Sequence, residues 1–245
     1  MTNIMLEVSD LTKQYSNNRG AKDISFALNK GEALGLLGSN GAGKTTVMKT
    51  ITGLTRANKG KISINGFDIN ENRAQALERV GSLIEAPAFY GYLSAEKNMQ
   101  LALNFYKELK ADSENIISDI LKKVGLLQFR NEKVDKFSLG MKQRMGIALA
   151  MVGKPELFIL DEPSNGLDIE GRVEIRNILI NLCAETNATL LISSHLSVEI
   201  EKMCSKVVIM KEGIVIDIAD MKQILENNPD LETYYLEKIQ GGIIK

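Results

Sequence analysis

At 245 residues, with a hydrophobic share of 44%, the chain is long enough to fill one large core or two smaller lobes. Its 30 Lys and Arg nearly balance 31 Asp and Glu, which argues against a nucleic-acid partner held by net charge and against an acidic, disordered chain. Apolar runs such as Leu157–Leu160 and Val207–Met210 fall far short of the roughly 18 residues that span a bilayer, and Met1–Glu7 lacks the basic, apolar and small-residue order of a signal peptide. A cytosolic chain is expected, in which Cys183 and Cys204 serve as buried small hydrophobes rather than as a disulfide.

Short apolar runs alternate with segments of helical period, the rhythm of a mainly parallel sheet with helices on both faces, so the expected class is α/β. Glu32–Leu37 reads as a buried strand that breaks at Gly38, after which Val47, Met48, Ile51 and Leu54 recur at helical spacing. Gly53 and Asn58–Gly60 interrupt that pattern, and Lys61–Gly66 reads as a strand closing on an Asn-Gly turn, an antiparallel element. From Ser94 to Gly125 the pattern is helical, with Leu101, Leu103, Phe105, Tyr106 and Leu109 followed, after a polar break, by Ile116, Ile117, Ile120, Leu121 and Val124. A helical lobe is expected there. Beyond it come a helix at about 139–152, a strand at 157–161, a helix at about 170–185 and strands near 189–193 and 206–210. The tail from Met221 reads as helical, fraying at Gly241-Gly242, and no internal repeat or low-complexity linker interrupts the chain.

The strand-to-helix junction at Gly38 carries Gly38-Ser39-Asn40-Gly41-Ala42-Gly43-Lys44-Thr45, which satisfies G-x-x-x-x-G-K-[ST] in the context that its mechanism requires. Glycines let successive backbone N–H groups converge on phosphates, and the helix N-terminus adds partial positive charge. Lys44 is expected to reach the β- and γ-phosphates, and the Thr45 hydroxyl to ligate Mg²⁺, with Thr46 completing the nucleotide-binding set. Further along, Leu157–Leu160 ends in Asp161-Glu162, two carboxylates that strand alternation sends in different directions. Asp161 is expected to hold Mg²⁺ and Glu162 to act as general base on the attacking water. His195, the chain's one histidine, follows the apolar strand Thr189–Ser193 at the sheet edge where α/β folds bind ligands, in reach of a γ-phosphate.

A phosphate loop alone does not separate kinases, GTPases, helicases and transporters. Phe137-Ser138-Leu139-Gly140-Met141-Lys142-Gln143-Arg144 resembles the signature of ABC ATPases, L-S-G-G-Q followed by basic and glutamine residues, with Leu139 and Met141 departing from it. Read physically, Ser138 is a helix N-cap beside a second anion site. The resemblance covers about residues 4–220 and implies a P-loop core of mainly parallel sheet, an antiparallel β subdomain and a helical subdomain. The division it suggests is a nucleotide-binding domain at 1–220, with core 1–86 and 154–220 and helical part 87–153, followed by a tail at 221–245. It further implies ATP and Mg²⁺ as ligands, and a homodimer in which Ser138 and Gly140 of one copy close on ATP held by the other. Ser164-Asn165-Gly166-Leu167-Asp168 resembles the loop that passes between subunits, and Tyr15 lies about where an aromatic ring stacks on adenine. An integral membrane permease would be the other partner, placing the chain on the inner face of the membrane, with no nucleic acid. The alternative is a soluble ABC ATPase acting on ribosomes or DNA, which would normally carry duplicated cassettes or a long insertion.

One departure is informative. Where the family usually places a glutamine that touches Mg²⁺, this chain has Glu85 within Leu83-Ile84-Glu85-Ala86-Pro87-Ala88-Phe89-Tyr90. A carboxylate would bind the metal more strongly than an amide, or pair with a basic group. That segment, with the altered signature, resembles the branch serving bacitracin and lantibiotic resistance or immunity exporters.

Overall fold

The computed structural model describes residues 3–16 and 19–241, so Met1, Thr2 and the end of the expected fraying segment, from Gly242 on, lie outside the described residues. Among the described residues the strands fall into two sheets. The antiparallel sheet, ordered β2-β1-β4-β5, is built from β1 (Ile4–Gln14), β2 (Gly20–Asn29), β4 (Lys59–Ile64) and β5 (Phe67–Asp68). Its register sets Leu6 against Leu28 and Ile64, and Val8 against Phe26 and Ile62, so period-two alternation gives it one apolar face. The Asn65-Gly66 turn joins β4 to β5 with both residues at positive φ, 49° and 84°, the geometry that a two-residue hairpin requires.

The second sheet, ordered β10-β9-β3-β8-β7-β6, contains β3 (Ala33–Leu37), β6 (Val80–Leu83), β7 (Leu157–Asp161), β8 (Thr189–Ser194), β9 (Lys206–Lys211) and β10 (Ile214–Asp220). All neighbours are parallel except β9 and β10. The inner strands β3, β7 and β8 are buried nearly throughout, which is why they read as continuous apolar runs rather than as alternation. Parallel pairing carries a functional consequence. The C-terminal ends of β3, β6, β7 and β8 open on one edge, so Gly38, Glu85, Glu162 and His195, distant in sequence, emerge on the same side.

Helix α1 (Lys44–Ile51) follows β3, and α2 (Arg73–Leu77) precedes β6. The apolar spacing that ran on to Leu54 is cut after Ile51: Gly53 takes a positive φ of 68° and Leu54 is 64% exposed. Between β6 and β7 lie α3 (Ala95–Leu103), α4 (Ser113–Lys123) and α5 (Leu139–Met151). The expected helical stretch from Ser94 is capped by the Ser94 hydroxyl, which accepts from Lys97 N–H, but it stops at Leu103 rather than continuing through Leu109. Phe105 is 88% exposed. Tyr106 instead lies over Gly153, where any added side chain would come within 2.5 Å of the ring.

The remaining helices are α6 (Ile169–Thr186), α7 (Ser197–Met203), α8 (Met221–Asn227) and α9 (Leu231–Gly241). Among the described residues no helix is long and apolar enough to cross a membrane. One apolar cluster runs from Met99, Ile117 and Met145 in the helical segment through Phe158 and Ile192 of the sheet to Met221, Ile224 and Leu231 of α8 and α9. Each fully buried side chain of that size contributes about 1.5–3 kcal/mol, so the last two helices are part of the packed body. Both cysteines are free; Cys204 is buried as expected, while Cys183 is only partly so, its thiol pushed up to about 11 by burial.

Candidate functional site

At the C-terminal end of β3 the chain turns into α1 with Gly41 and Gly43 at φ 84° and 99°, in the left-handed region that glycine enters freely. No side chain caps α1, and its first intrahelical bond runs from Val47 N–H to Gly43 O. The amides of Lys44, Thr45 and Thr46 therefore have no helical partner and remain available to an anion. A hollow of about 280 Å³ is lined by Asn40 through Thr46 together with Tyr15, Arg19, Gly20 and Glu162.

Lys44 is 4% exposed, with its ammonium donating to Gly38 O at 2.7 Å and Ser39 O at 3.3 Å and paired with Glu162 Oε1 at 3.0 Å. The other carboxylate oxygen, Glu162 Oε2, lies 2.8 Å from His195 Nδ1. An ionised carboxylate only accepts, so the proton of this bond belongs to Nδ1. Glu162 is thus held between a cation and an imidazole. Burial pushes its carboxyl up, but the hydrogen bond and charge of Lys44, with His195 added, bring it below its ordinary value.

Ser193 sets the backbone of this arrangement. Its hydroxyl accepts the Glu162 N–H at 2.9 Å and donates to Asp161 Oδ1 at 2.6 Å, from a position directly opposite Asp161 in the sheet register. Glu162 sits at φ 45°, a conformation costing a non-glycine residue of order 1–3 kcal/mol. One serine therefore fixes both adjacent carboxylates. In the sequence Ser193 stands out only as a polar residue near the tip of an apolar strand, and the register is what brings it to the acidic pair.

The other expected residues fall into two groups. Tyr15 lines the hollow, half exposed, with the Lys13 ammonium 5.2 Å from its ring centroid. Ser138 caps α5 by accepting from Met141 N–H at 3.3 Å. Neither Ser138 nor Gly140 reaches the hollow within one chain; Gly140 faces Leu167, and Leu139 lies against Gly166. Glu85 also stays outside the hollow. At φ 63° beyond β6, its side chain is 61% exposed and pairs with Lys49 at 2.6 Å, one helical turn past Thr45 on α1.

A cation-lined loop, a helix start without a cap and a carboxylate–imidazole pair at the edge of a parallel sheet define a phosphate-binding site of the P-loop class. The family described as ABC transporter matches residues 21–165. Bacitracin transport ATP-binding protein BcrA of Bacillus licheniformis is 38% identical over 224 residues, 91% of this chain and 72% of that protein. Lantibiotic transport ATP-binding protein SrtF of Streptococcus pyogenes is 39% identical over 212 residues, 86% of this chain and 89% of that one. The structure of cbiO1 from Clostridium perfringens, part of the ABC transporter complex cbiONQ, superposes with a TM-score of 0.82 at 27% identity, covering 92% of each chain. The chain belongs to the ABC transporter family, among its ATP-binding subunits.

The lowered acidity of Glu162 has a pH signature. A carboxyl whose folded pKa lies below the ordinary value of about 4.3 adds stability above that value and loses it as pH falls through the folded one. In urea melts, the stability gap between wild type and Glu162→Gln is expected to be full at pH 7 and to close as pH drops below about 4. A gap that does not vary with pH would count against the paired carboxylate.

Proposed function

We propose that this chain is the ATP-hydrolysing subunit of an exporter that expels antimicrobial peptides of the bacitracin or lantibiotic kind. It would work as an ATP-sandwich homodimer beneath a separate integral membrane permease, on the inner face of the membrane, with no nucleic-acid partner. The observation that carries the chemistry is Glu162 held between Lys44 and His195 at the mouth of the phosphate loop. The names of BcrA and SrtF, alike to this chain over most of its length, support the peptide cargo, and Glu85 in place of the family's usual glutamine agrees with it. In this reading residues 1–86 and 154–220 form the core, 87–153 the helical part that faces the permease, and 221–245 the tail.

The loop amides and Lys44 would bind the β- and γ-phosphates of ATP, with Tyr15 beside the adenine. Lys44 must then exchange Glu162 for phosphate oxygens, which frees one carboxylate oxygen to take a proton from water. His195 would hold the other oxygen through Nδ1 until its ring turns toward the substrate and donates that proton to the γ-phosphate. Ser138 and Gly140 of the second copy would close the far side of the nucleotide, excluding water except at Glu162. The oxygen donors Thr45 and Asp161 suit a hard cation, and Asp161 is buried and oriented by Ser193. Mg²⁺ held there would neutralise phosphate oxygens during transfer. Glu85 would join them only by leaving Lys49.

Glu162→Gln is expected to bind ATP and form a stable dimer by size-exclusion chromatography while turnover falls by at least about 10²; near-normal turnover removes Glu162 as the base. Lys44→Ala should lose tight binding of a fluorescent ATP analogue, since the charge-assisted phosphate contacts are gone. For Glu85, ATPase activity and protection of cells against peptide are both expected to fall in Glu85→Gln of the complete transporter. Unchanged values would leave the glutamate no special role.

A further inference from the structure

Two hairpins of this fold turn alike but meet different surroundings. β4 and β5 are joined by Asn65-Gly66 at φ 49° and 84°, and β9 and β10 by Glu212-Gly213 at φ 49° and 83°, with Lys211 paired to Ile214. Gly66 is exposed, and a side chain added there would meet nothing within 4 Å. Gly213 is buried. It lies well beyond residue 165, where the family match ends, yet its backbone rests against the phosphate loop.

That backbone is held from two sides. The Gly213 N–H donates to Ala42 O at 3.1 Å, and the Gly213 carbonyl accepts from Lys22 N–H of β2 at 2.7 Å. The Gly20 carbonyl, at the start of β2, fills the remaining space: it would lie 2.8 Å from a Cβ on Gly213 and 2.7 Å from a Cβ on Gly43. Neither position can take a side chain without displacing that carbonyl. At the other end of the loop, Met210 O of β9 stands where a Cβ on Gly38 would be. The β9–β10 hairpin is therefore a wall behind the loop, and Gly213 ties it to the β2 end that lines the nucleotide hollow at Gly20.

The bond to Ala42 has a chemical consequence. Ala42 stands four residues before Thr46, so its carbonyl is the one that Thr46 N–H would use if α1 began one residue earlier. With the Gly213 N–H on that carbonyl, the chain before Lys44 is held as a loop, and the Thr46 amide stays open to an anion.

We propose that Gly213 is a positioning residue for the phosphate loop, its buried turn holding Ala42 and Gly43 against the start of β2 so that the loop keeps its anion-binding shape. A loop held in shape before the phosphates arrive binds them more tightly, because less ordering is left to be done on binding. The role shows in nucleotide affinity rather than in the chemical step.

This inference rests on the phosphate-loop assignment, and the test separates the two. In the full-length chain, Gly213→Ala sets one methyl group against Gly20 O, whereas Gly66→Ala imposes the same positive-φ strain on the matching turn with nothing for the methyl to meet. Gly213→Ala is expected to raise KM for ATP, and the dissociation constant of a fluorescent ATP analogue, by roughly three- to tenfold, the size of one lost hydrogen bond. Turnover at saturating ATP should change by less than about twofold, the mark of a change in binding. Gly66→Ala should lower the melting temperature but leave KM within about twofold of wild type. If Gly213→Ala does not fold, Gly213→Asn and Gly66→Asn carry the same comparison, since asparagine tolerates positive φ better. Wild-type KM and affinity in the Gly213 variant, with Lys44→Ala deficient in binding, overturn the role of Gly213 alone. An equal rise in the Gly66 variant overturns it too, since general destabilisation would then suffice. Tight binding by Lys44→Ala overturns the loop assignment and this inference with it.

Discussion

A buried ammonium needs partners, and among the described residues Lys44 finds them in two main-chain carbonyls and one carboxylate. Removing one partner of a buried ion pair typically costs about 3–5 kcal/mol, so the position of Glu162 is dictated by Lys44 as much as by its own strand. Much of the site follows. Glu162 turns toward the loop at positive φ, presents its second oxygen to His195, and leaves Asp161 on the other side of the strand with Ser193. In the proposed function, the pairing that holds Glu162 is what a triphosphate would displace, so substrate binding and release of the carboxylate would be one event.

The parallel sheet makes that event possible by geometry alone. β7 lies between β6 and β8, and β8 lies beside β3, so segments more than a hundred residues apart deliver an acid pair, a histidine and a phosphate loop to one edge. The two residues that would complete the nucleotide site, Ser138 and Gly140, start a helix elsewhere, beside Gly166 and Leu167. Their separation from the hollow agrees with a role toward a second copy of the chain.

The α/β class, the loop and the acidic strand end were legible because each is encoded locally: glycines at fixed offsets, a five-residue apolar run, two acids in succession. The ends of helices were less so. The spacing past Ile51 and past Leu103 continued to look helical, but Gly53 and the packing of Tyr106 over Gly153 decided otherwise, and the latter contact spans nearly fifty residues. Ser193 and Lys49 were invisible for the same reason. A serine and a lysine carry no signal until the register and the Glu85 turn place them against Asp161 and Glu85.

The central claim is that Glu162 is shared between Lys44 and His195 until phosphate takes Lys44 away. His195 is the only histidine in the sequence, so its imidazole gives a single set of ring nitrogen signals. The most direct measurement is the ¹⁵N spectrum of that ring before and after addition of a non-hydrolysable ATP analogue with Mg²⁺. The account predicts a protonated, hydrogen-bonded Nδ1 without nucleotide and a clear change in the ring signals with it. A ring with its proton on Nε2 at the outset, or signals that nucleotide leaves in place, would contradict it.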